Sequence, residues 1–560
     1  MMTVIQFLIY YVYPIYWKIK CNHLYVYDKP VLQCSLFVGG WVDLDMSRYI
    51  SLLSFIVFQF LFWSCALPEK INKPNIIIIM ADDLGFGDVG AYGAKPENVM
   101  TPNIDKLAEG GLKFTSGYCS ASTCTPTRYS FLTGTYAFRK NNTGIAPPNS
   151  PAIIQPGTET IASILKKAGY KTAVVGKWHL GLGGPEGPDW NGELKPGPRE
   201  IGFDFNFLLP TTNDRVPQVY VENHSVRDLD PNDPLWVGQK KPNPDHPTGI
   251  THRNTLRMNW NDGHNNTIHN GIGRIGFYTG GHTARFRDED LADAWAKQSN
   301  KWITENKDEP FFLFFSSHDI HVPRMPHVRF QGKSGMSYRG DAIVQLDWNV
   351  GEIMRTLDRL DLTEETLVIF CSDNGPVLDD GYDDKANETL GDHNPGGPYS
   401  GGKYTVREGG TRTPFISYWK GKIAPGTSDK MVSTIDLAAS LAALTGVNLP
   451  EEGMLDSFNV LSALLGEKSA EGRDHIVSQD NGRRGNYGLR VGNWKLQRHD
   501  SERMYNGNLQ MEAWTVPQYT LFNLTEDIKE MNDVYEKFPE VAKRMKNQLQ
   551  SIIDNEYTRK

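Results

Sequence analysis

The sequence predicts an α/β fold in which a large mixed β-sheet is sandwiched between helices, followed by a smaller C-terminal α+β subdomain with an antiparallel sheet. From residue 74 onward, short apolar runs rich in β-branched residues alternate with amphipathic segments, which is typical of a sheet covered by helices. Beyond about residue 455 this alternation ends, and closely spaced strand-like segments precede one terminal amphipathic helix. At 560 residues the chain is also too long for a single small core.

The elements follow one another in order along the chain. The run "NIIIIMADD" predicts a buried strand, and "TETIASILKKAGY" predicts a helix with Ile161, Ile164 and Leu165 on one face and Gly169 at its end. Further buried strands are predicted by "KTAVVGK", "PFFLFFSS" and "TLVIFCS", and a long helix by "DAIVQLDWNVGEIMRTLDRL". In the subdomain, "YGLRVGNWKLQRH" and "QYTLFNLTED" predict antiparallel strands, and "FPEVAKRMKNQLQSIID" predicts a helix.

The stretch from about 183 to 290 differs from its surroundings because it is dense in Gly, Pro, Asn and His and has no sustained periodicity. We predict a loop region here. So long an irregular insertion in a compact domain is often functional, although a solvated surface excursion is an equally good interpretation.

The first 66 residues have the character of a targeting segment. Residues 1–45 show no regular period, and from Met46 a basic residue, an apolar stretch and several small residues follow one another as in a secretory signal. The apolar stretch is too short to span a bilayer comfortably. The predicted organisation is an upstream extension without structural value over 1–45, a signal peptide over 46–66, a main domain over 70–455 and a subdomain over 456–560.

This organisation predicts a secreted or periplasmic protein with no transmembrane domain in its mature form. Lipid attachment at Cys65 is the less favoured alternative, because Trp63 is bulky where lipoprotein signals usually carry a small residue. The net charge of −8, with no long basic run, argues against nucleic acid as a partner. An anionic substrate would therefore need a local pocket of cationic side chains.

Few cysteines remain after the predicted signal peptide. Cys119, Cys124 and Cys371 are too few for a disulfide scaffold in a chain of this size. A bridge between Cys119 and Cys124 is one interpretation of the first two, although their spacing does not favour it. Zinc is not indicated, because the sequence carries neither a CxxC pair nor closely spaced histidines beside them.

Polar groups follow four of the predicted strands. In open α/β sheets, ligands gather beyond the carboxyl ends of the strands. A single Asp or Asn ending is more often a cap or a turn, but oxygen-rich endings at matching positions predict a site for a hard divalent cation such as calcium or magnesium. The four endings are Asp82 with Asp83, Lys177 with His179, His318 with His321, and Asp373 with Asn374.

Cationic residues that would draw an anion to this site are also present. Lys177 in "VVGKWHLG" and Lys403 in "SGGKYTVREGGTR" are flanked by glycines that let the backbone approach a ligand, and Arg128 lies in "CTPTR". His179 and His321 would exchange protons near neutral pH. A lone lysine is usually solvated and a lone histidine usually structural, so only the combination favours a site that processes an anion.

These motifs together resemble a known family. "CTPTRYSFLTG" is similar to the signature of the formylglycine-dependent, arylsulfatase-type sulfatases, which belong to the alkaline phosphatase-like superfamily. "NIIIIMADDLGFGDVGAYG" resembles the opening strand and metal loop of that family, "GKWHLG" its second motif and "SDNGP" its late metal motif. The resemblance covers nearly the whole main domain and, more loosely, the subdomain.

The resemblance implies a specific role for each motif residue. Cys124 would be converted to formylglycine, an aldehyde hydrated to a gem-diol, by the formylglycine-generating enzyme, which reads Pro126 and Arg128. Arg128 would orient the diol, and His179 and His321 would handle protons. Sulfate oxygens would be held by Lys177 and Lys403, with Thr212 a weaker transfer because Thr211 is equally placed. A calcium ion, with magnesium as the alternative, would be held by Asp82, Asp83, Asp373, Asn374 and the modified residue at 124.

The implied chemistry suits a sulfate ester. Metal and lysine charges would neutralise the sulfate and expose its sulfur to attack, and His321 would protonate the departing alcohol. The second hydroxyl of the diol, deprotonated by His179, would then release sulfate, a step that a serine or an unmodified cysteine lacks. A helix after Pro126 would add a favourable N-terminal dipole for the anion.

The predicted function is therefore that of a sulfuric ester hydrolase, and more specifically of an exo-acting carbohydrate sulfatase on sulfated glycans. The alternatives are a phosphoester or phosphonate hydrolase of the same superfamily, and a catalytically silent glycan-binding relative. Some residues of a polar set would contact the sugar or a neighbouring acidic group; five of the set lie in the loop region and two in the subdomain. They are His252, Arg253, His264, Arg274, His282, Arg483 and Arg484.

Overall fold

The computed structural model describes residues 73–481, 485–500 and 517–559, together with the backbone of four strands at 19–26, 29–36, 503–506 and 511–515. The chain divides into two compact units, Met1–Asn72 and Lys73–Lys560. In the first unit, β1 (Ile19–Val26) pairs antiparallel with β2 (Lys29–Leu36). The predicted signal peptide, with Cys65, lies outside the described residues.

The second unit contains strands of two to seven residues. In chain order they are β3 (Asn75–Ala81), β4 (Leu112–Phe114), β5 (Gly117–Tyr118), β6 (Lys171–Lys177), β7 (Phe205–Leu209), β8 (Val221–Glu222), β9 (Ser225–Val226), β10 (Trp236–Gly238), β11 (Ile268–His269), β12 (Ile272–Gly273), β13 (Phe277–Thr279), β14 (Phe311–Ser316), β15 (Thr366–Ser372), β16 (Ile416–Tyr418), β17 (Gly426–Ser428), β18 (Val432–Ser433), β19 (His475–Gln479), β20 (Tyr487–Val491), β21 (Trp494–Arg498), β22 (Arg503–Asn506), β23 (Met511–Thr515) and β24 (Tyr519–Asn523).

The α-helices of this unit lie between and after the strands. In chain order they are α1 (Pro102–Gly110), α2 (Cys124–Thr133), α3 (Ile161–Lys167), α4 (Leu291–Glu305), α5 (Ser337–Arg359), α6 (Glu408–Thr411), α7 (Leu437–Thr445), α8 (Leu461–Leu464) and α9 (Pro539–Asp554). Within the described part of the chain, none of the helices combines the length and apolar character that a membrane span requires.

Ten strands form one mixed sheet in the order β17-β4-β16-β15-β3-β14-β6-β7-β8-β9. The five central strands, β15 to β7, run parallel, and antiparallel pairs flank them at β15/β16 and β7/β8. Because the central strands are parallel, their carboxyl ends lie at one edge of the sheet. The mixed sheet predicted from the sequence is confirmed.

Both faces of the sheet are covered by helices, as β3 illustrates. Its alternate residues point to opposite faces, so Ile78 joins a buried cluster with residues of α3 and α7, whereas Ile79 joins a second cluster with residues of α1, α4 and α5. Each fully buried Ile contributes roughly 1.5–3 kcal/mol. The continuous run of isoleucines is thus explained by burial on both sides.

The stretch from 183 to 290 is mostly irregular, as predicted, with strands of two or three residues. The prediction was wrong for Phe205–Leu209, which adds a parallel strand to the main sheet beside β6. Asn206 interrupts its apolar run, and the buried Asn206 side chain donates from Nδ2 to the Asn223 backbone oxygen at 3.1 Å. Because of this buried asparagine, the hydrophobic pattern alone does not predict the strand.

The C-terminal subdomain holds the predicted antiparallel sheet, in the order β19-β20-β21-β24. Helix α9 packs against it through Met545 and Leu549, which share a buried cluster with Leu489 and Leu496. The subdomain also contacts the main domain. Ala121, in the loop before α2, forms a parallel β-bridge with Gln479 at the end of β19.

Candidate active site

Four neighbouring parallel strands bring their polar endings together. Asp82 and Asp83 follow β3, Lys177 ends β6, the segment carrying His321 follows β14, and Asp373 follows β15. All of these side chains are buried at the carboxyl edge of the sheet. The convergence that the sequence indicated is therefore present in the fold.

Cys124 is the first residue of helix α2, which ends at Gly134 in the left-handed conformation. The Cys124 side chain lies at the helix N-terminus and the residue is 2% exposed. Cys119, Cys124 and Cys371 are all free thiols, so the bridge between Cys119 and Cys124 is excluded. Cys119 donates to the backbone oxygens of Ala121 and Thr411 and has the character of an ordinary buried residue.

The acidic cluster has the donor chemistry of a cation site. Oxygens of Asp82, Asp83 and Asp373 lie within 4.8 Å of one another. Among the described residues, Asp82 Oδ1 and Asn374 Oδ1 are buried without a hydrogen-bond partner, and Asn374 Nδ2 donates to Asp83 Oδ1 at 2.7 Å. Burial, reinforced by the charge of Asp373, raises the pKa of Asp82 well above its ordinary value. These residues fit a hard divalent cation, which would reduce the repulsion between their carboxylates.

Each carboxylate of the cluster also meets a cationic side chain. Arg128 Nη2 lies 2.8 Å from Asp373 Oδ2, and Lys177 Nζ donates to Asp82 Oδ2. Lys403 Nζ lies 2.9 Å from Asp83 Oδ2. Arg128, Lys177 and Lys403 thus surround the acidic cluster and balance its three carboxylate charges in a site shielded from water.

Lys403 has a second partner that the sequence did not reveal. Its Nζ lies 2.9 Å from Asp380 Oδ2, and the Tyr404 hydroxyl donates to Asp380 Oδ1 at 3.0 Å. Asp380 lies in the acidic segment "DDGYDD", which resembles a solvated loop. The residue is nevertheless buried, because the lysine neutralises it.

His179 presents one free ring nitrogen to the site. Its Nε2 lies 3.0 Å from the Ala146 backbone oxygen and must donate to it, which leaves Nδ1 as an acceptor. Nδ1 is buried and has no partner among the described residues. Burial, with the charges of Lys177 and Arg215, lowers the pKa of His179 well below its ordinary value, so the imidazole is neutral near pH 7.

The two histidines after β14 have different surroundings. His321 donates from Nδ1 to the Val322 backbone oxygen at 2.7 Å, and one of its ring nitrogens lies within 4.8 Å of Cys124 Sγ and of an Asp82 oxygen. Burial and the charge of Lys403 lower the pKa of His321. His318 instead accepts from Trp295 Nε1 at 3.0 Å and is held by the core.

Thr212 lies beside an ion pair that was not predicted. The Thr212 hydroxyl accepts from Arg215 Nη1 at 3.2 Å, and Arg215 Nη1 also donates to Asp214 Oδ1 at 2.8 Å. Arg215 lines an open cavity of about 300 Å³. The other residues lining this cavity are Ile145, Ala146, Pro147, Pro148, Gln239, Ile275 and Asn481.

The predicted sugar-contacting residues are dispersed. His252, Arg253 and His282 are exposed on the surface, and His264 is buried beside Asp214. Arg274 is fully buried, with its guanidinium 2.7 Å from Asp288 Oδ2, so the prediction was wrong for this residue. Arg483 and Arg484 lie outside the described residues.

Comparison with known proteins identifies the family. A family model described as Sulfatase matches residues 74–447, and one described as N-sulphoglucosamine sulphohydrolase, C-terminal, matches residues 402–555. The chain is 48% identical over 484 residues to the N-acetylgalactosamine-6-O-sulfatase of Bacteroides thetaiotaomicron, with 86% of this chain and 94% of that protein covered. It is 34% identical over 398 residues to human arylsulfatase A, with 70% and 68% covered.

A solved structure indicates the same family. It belongs to a Bacteroides thetaiotaomicron sulfatase from work on the metabolism of multiple glycosaminoglycans, and it matches with a TM-score of 0.83 at 47% sequence identity. The match covers 86% of this chain and 100% of that chain. Since the first family model also spans more than half of the sequence, the chain belongs to the sulfatase family and is a sulfuric ester hydrolase.

Proposed function

We propose that this sulfatase is an exo-acting carbohydrate sulfatase that removes a sulfate ester from the 6-hydroxyl of an N-acetylgalactosamine unit. The observation that carries the proposal is the open cavity of about 300 Å³ whose wall includes Arg215 and Ala146, the residue whose backbone oxygen binds His179. Lys177 and Lys403 would hold the sulfate, and the cavity would hold one sugar unit. The similarity to an N-acetylgalactosamine-6-O-sulfatase over most of both chains supports this choice of sugar.

The nucleophile in this proposal derives from Cys124. We propose that the formylglycine-generating enzyme converts it to formylglycine, whose hydrated aldehyde supplies a nucleophilic hydroxyl. In the folded chain, Cys124, Pro126 and Arg128 are buried within α2. The modifying enzyme therefore has to read these residues before the chain folds. Once folded, the N-terminus of α2 adds partial positive charge beside residue 124.

A divalent cation belongs to the same proposal. Asp82, Asp83, Asp373, Asn374 and residue 124 would hold calcium, with magnesium as the alternative. When bound, the ion supplies a Lewis acid beside the sulfate. The support is the cluster of three buried carboxylates and the two orphaned oxygens on Asp82 and Asn374.

The chain's own residues would then position the sulfate and its nucleophile. Lys177 and Lys403 would turn from their carboxylate partners toward sulfate oxygens, and Thr212 would donate to the same group. Arg128 would fix the nucleophilic hydroxyl, since it stands one helical turn after residue 124 and is fully buried. Charge neutralisation by these groups would expose the sulfur to attack.

The histidines would handle the protons. His179 Nδ1 accepts, because its Nε2 is committed to the Ala146 oxygen, so His179 would take a proton from the hydroxyl at residue 124. His321 would donate a proton to the departing sugar oxygen through Nε2, since Nδ1 is bound to Val322. Because burial lowers the pKa of His321 and its neutral ring carries a proton on Nδ1 alone, the ring would have to take up a second proton when the anionic substrate binds. The sugar alkoxide is a poor leaving group and needs this acid.

The cellular setting follows from the same proposal. We propose a secreted or periplasmic protein, with the segment 46–66 as signal peptide and lipid attachment at Cys65 as a variant of that route. Such a location would bring the enzyme to sulfated polysaccharides outside the cytoplasm. The support is the layout of the segment, which has a basic residue, an apolar stretch and small residues in order.

The test is hydrolysis of a panel of sulfated mono- and oligosaccharides, with aryl sulfate and aryl phosphate beside them. We expect release of sulfate from N-acetylgalactosamine 6-sulfate with a kcat/KM well above that for other sulfated positions. Activity confined to aryl or lipid sulfates would contradict the carbohydrate proposal, and a preference for aryl phosphate would contradict the choice of sulfate as the group transferred.

A further inference from the structure

Arg215 stands where the cavity meets the catalytic residues. Its side chain is 16% exposed and lines the cavity, whose wall includes Ala146. Ala146 is also the residue whose oxygen binds His179, and its backbone nitrogen donates to the Thr125 hydroxyl at 3.1 Å. A single residue, Ala146, therefore connects the cavity wall both to His179, the proposed base, and to the start of α2.

The guanidinium of Arg215 is fixed on one side and free on the other. Within the described part of the chain, its hydrogen bonds all run through Nη1, to Thr212 Oγ1 at 3.2 Å and to the two carboxylate oxygens of Asp214 at 2.8 and 2.6 Å. Nε and Nη2 remain as donors. An arginine held by one nitrogen presents the others in a fixed fork, which suits recognition of a ligand oxygen.

The Asp214 carboxylate is in turn bound by His264. His264 Nε2 lies 3.1 Å from Asp214 Oδ2, and His264 Nδ1 lies 2.6 Å from the Asp262 backbone oxygen. The Asp214 side chain is 3% exposed and is occupied by these partners. Burial alone would raise the pKa of Asp214, but Arg215 and the His264 hydrogen bond hold it well below its ordinary value. The carboxylate is thus a charged anchor rather than a ligand-binding group.

The chemistry of the pair indicates which part of the substrate it meets. In the proposed function, Lys177 and Lys403 already supply the positive charges that hold the sulfate. The charge of Arg215 is balanced by direct contact with Asp214, so its free N–H groups act as hydrogen-bond donors rather than as a further net positive charge. Such donors match the hydroxyl, acetamide or ring oxygens of a sugar.

Building on the proposed function, we propose that Arg215 is a specificity-determining residue that donates from Nε and Nη2 to an oxygen of the sugar carrying the sulfate. Asp214 and His264 are positioning residues that hold its guanidinium at the cavity wall. Recognition of the sugar is thereby separated from recognition of the sulfate, with Thr212 at the border between the two.

The experiment compares Arg215→Gln with the unsubstituted protein on N-acetylgalactosamine 6-sulfate, and uses inorganic sulfate as a competitive inhibitor to probe the sulfate half alone. We expect KM for the sugar sulfate to rise at least about tenfold with kcat little changed, because hydrogen bonds from a charged donor are lost. The inhibition constant of inorganic sulfate should change by less than about threefold.

Further variants separate recognition from structure. Arg215→Lys keeps the charge but not the fork, and His264→Gln loosens the anchor, so each should raise KM by less than Arg215→Gln while leaving the sulfate constant unchanged. Arg227→Gln is the matched control, since Arg227 pairs with Glu222 in the same part of the sequence and does not line the cavity. It should leave both constants unchanged. Melting temperatures of all variants report whether each one is folded.

Two outcomes would overturn the inference. If the inhibition constant of sulfate rises in parallel with KM, Arg215 serves the sulfate group; if KM does not move in any variant, Arg215 does not meet the substrate. Failure of the proposed function is distinguishable, because it would be seen in the unsubstituted protein as no hydrolysis of any sulfated sugar, before any variant is compared.

Discussion

Arg128 and Asp373 form an ion pair in which Asp373 Oδ2 lies 2.9 Å from Arg128 Nε and 2.8 Å from Nη2. Both side chains are fully buried. Arg128 also donates to the Lys177 backbone oxygen at 3.2 Å, so one guanidinium joins helix α2 to the ends of β6 and β15. The position of Cys124, one turn earlier on the same helix, therefore depends on this arginine.

The first prediction concerns that pair. Arg128→Gln should lower the free energy of unfolding by about 3 kcal/mol, because it leaves Asp373 as a buried charge without its partner. It should also reduce kcat/KM at least about 10²-fold, since residue 124 loses a group that orients it. Urea unfolding and steady-state kinetics provide the two measurements. Arg355→Gln, which breaks an exposed pair with Glu352, is the control and should change neither quantity measurably.

The second prediction concerns the two neighbouring cysteines. Cys124→Ser should abolish turnover without lowering the melting temperature, because serine fits the site but supplies no aldehyde. Cys119→Ser should keep activity, since the serine hydroxyl can donate to the same Ala121 oxygen. Mass spectrometry of the peptide with residue 124, from protein made in a host that has the modifying enzyme, should show formylglycine. A thiol at 124 in fully active protein would contradict the proposed nucleophile.

The third prediction concerns removal of the cation. Dialysis against a chelator should abolish activity and lower the melting temperature, because the carboxylates of Asp82, Asp83 and Asp373 then repel one another. Calcium at about 100 times its dissociation constant should raise the free energy of unfolding by about 2.7 kcal/mol. In Asp83→Asn the calcium-induced rise in melting temperature should be much smaller. A melting temperature of the native protein that is the same with and without the chelator would contradict the cation site.

The sequence was sufficient to locate those site residues that directly follow a recognisable strand. Asp82, Lys177 and Asp373 follow continuous apolar runs, so the strands and their polar endings could be located without a structure. The order β15-β3-β14-β6 could not be predicted, because it depends on which helices cover each face rather than on any single strand. Parallel pairing nevertheless made the endings meet, since every central strand ends at the same edge.

The sequence was insufficient where a residue acquires its role through distant partners. Arg215 and Asp214 lie in an irregular segment, and His264, which anchors Asp214, is 50 residues away. Asp380 lies in an acidic loop whose pattern is that of a solvated surface, yet Lys403 makes its burial favourable. In these cases the signal is a pair of opposite charges that only the fold brings together.

The fourth prediction concerns Glu530, which lies between the main domain and the subdomain. Glu530 accepts from the Glu408 backbone nitrogen and from Gln497, each at 2.7 Å, whereas Lys495 and Arg412 contact Glu408 instead. Burial, opposed by Lys495 and reinforced by Glu408, raises the pKa of Glu530 from 4.5 to about 7. The folded state therefore holds this proton more tightly than the unfolded state does.

The sign of the resulting pH dependence follows directly. The contribution of Glu530 is fully present below about pH 4.5 and is lost as pH rises to about 7, up to about 3 kcal/mol. Glu530→Gln, which is neutral at every pH, should remove this component. Unfolding free energies at about pH 5 and about pH 8 should thus differ less in the variant than in the native protein. Exposed Glu536→Gln is the control, and a variant with unchanged pH dependence would contradict the assignment.

The fifth prediction separates the two histidines by leaving group. His321→Gln should reduce kcat for a sugar sulfate by about 10²–10⁴-fold, because the alkoxide leaves unprotonated, but should affect an aryl sulfate much less, since a phenolate leaves readily. His179→Gln should reduce both rates by similar factors, because it removes the acceptor for the hydroxyl of residue 124 and not the acid for the leaving group. His327→Gln, on the same segment as His321 and partly exposed, is the control and should alter neither rate. Equal losses on the two substrates in His321→Gln would show that His321 does not protonate the leaving group, and a loss in His179→Gln limited to the sugar sulfate would reverse the two roles.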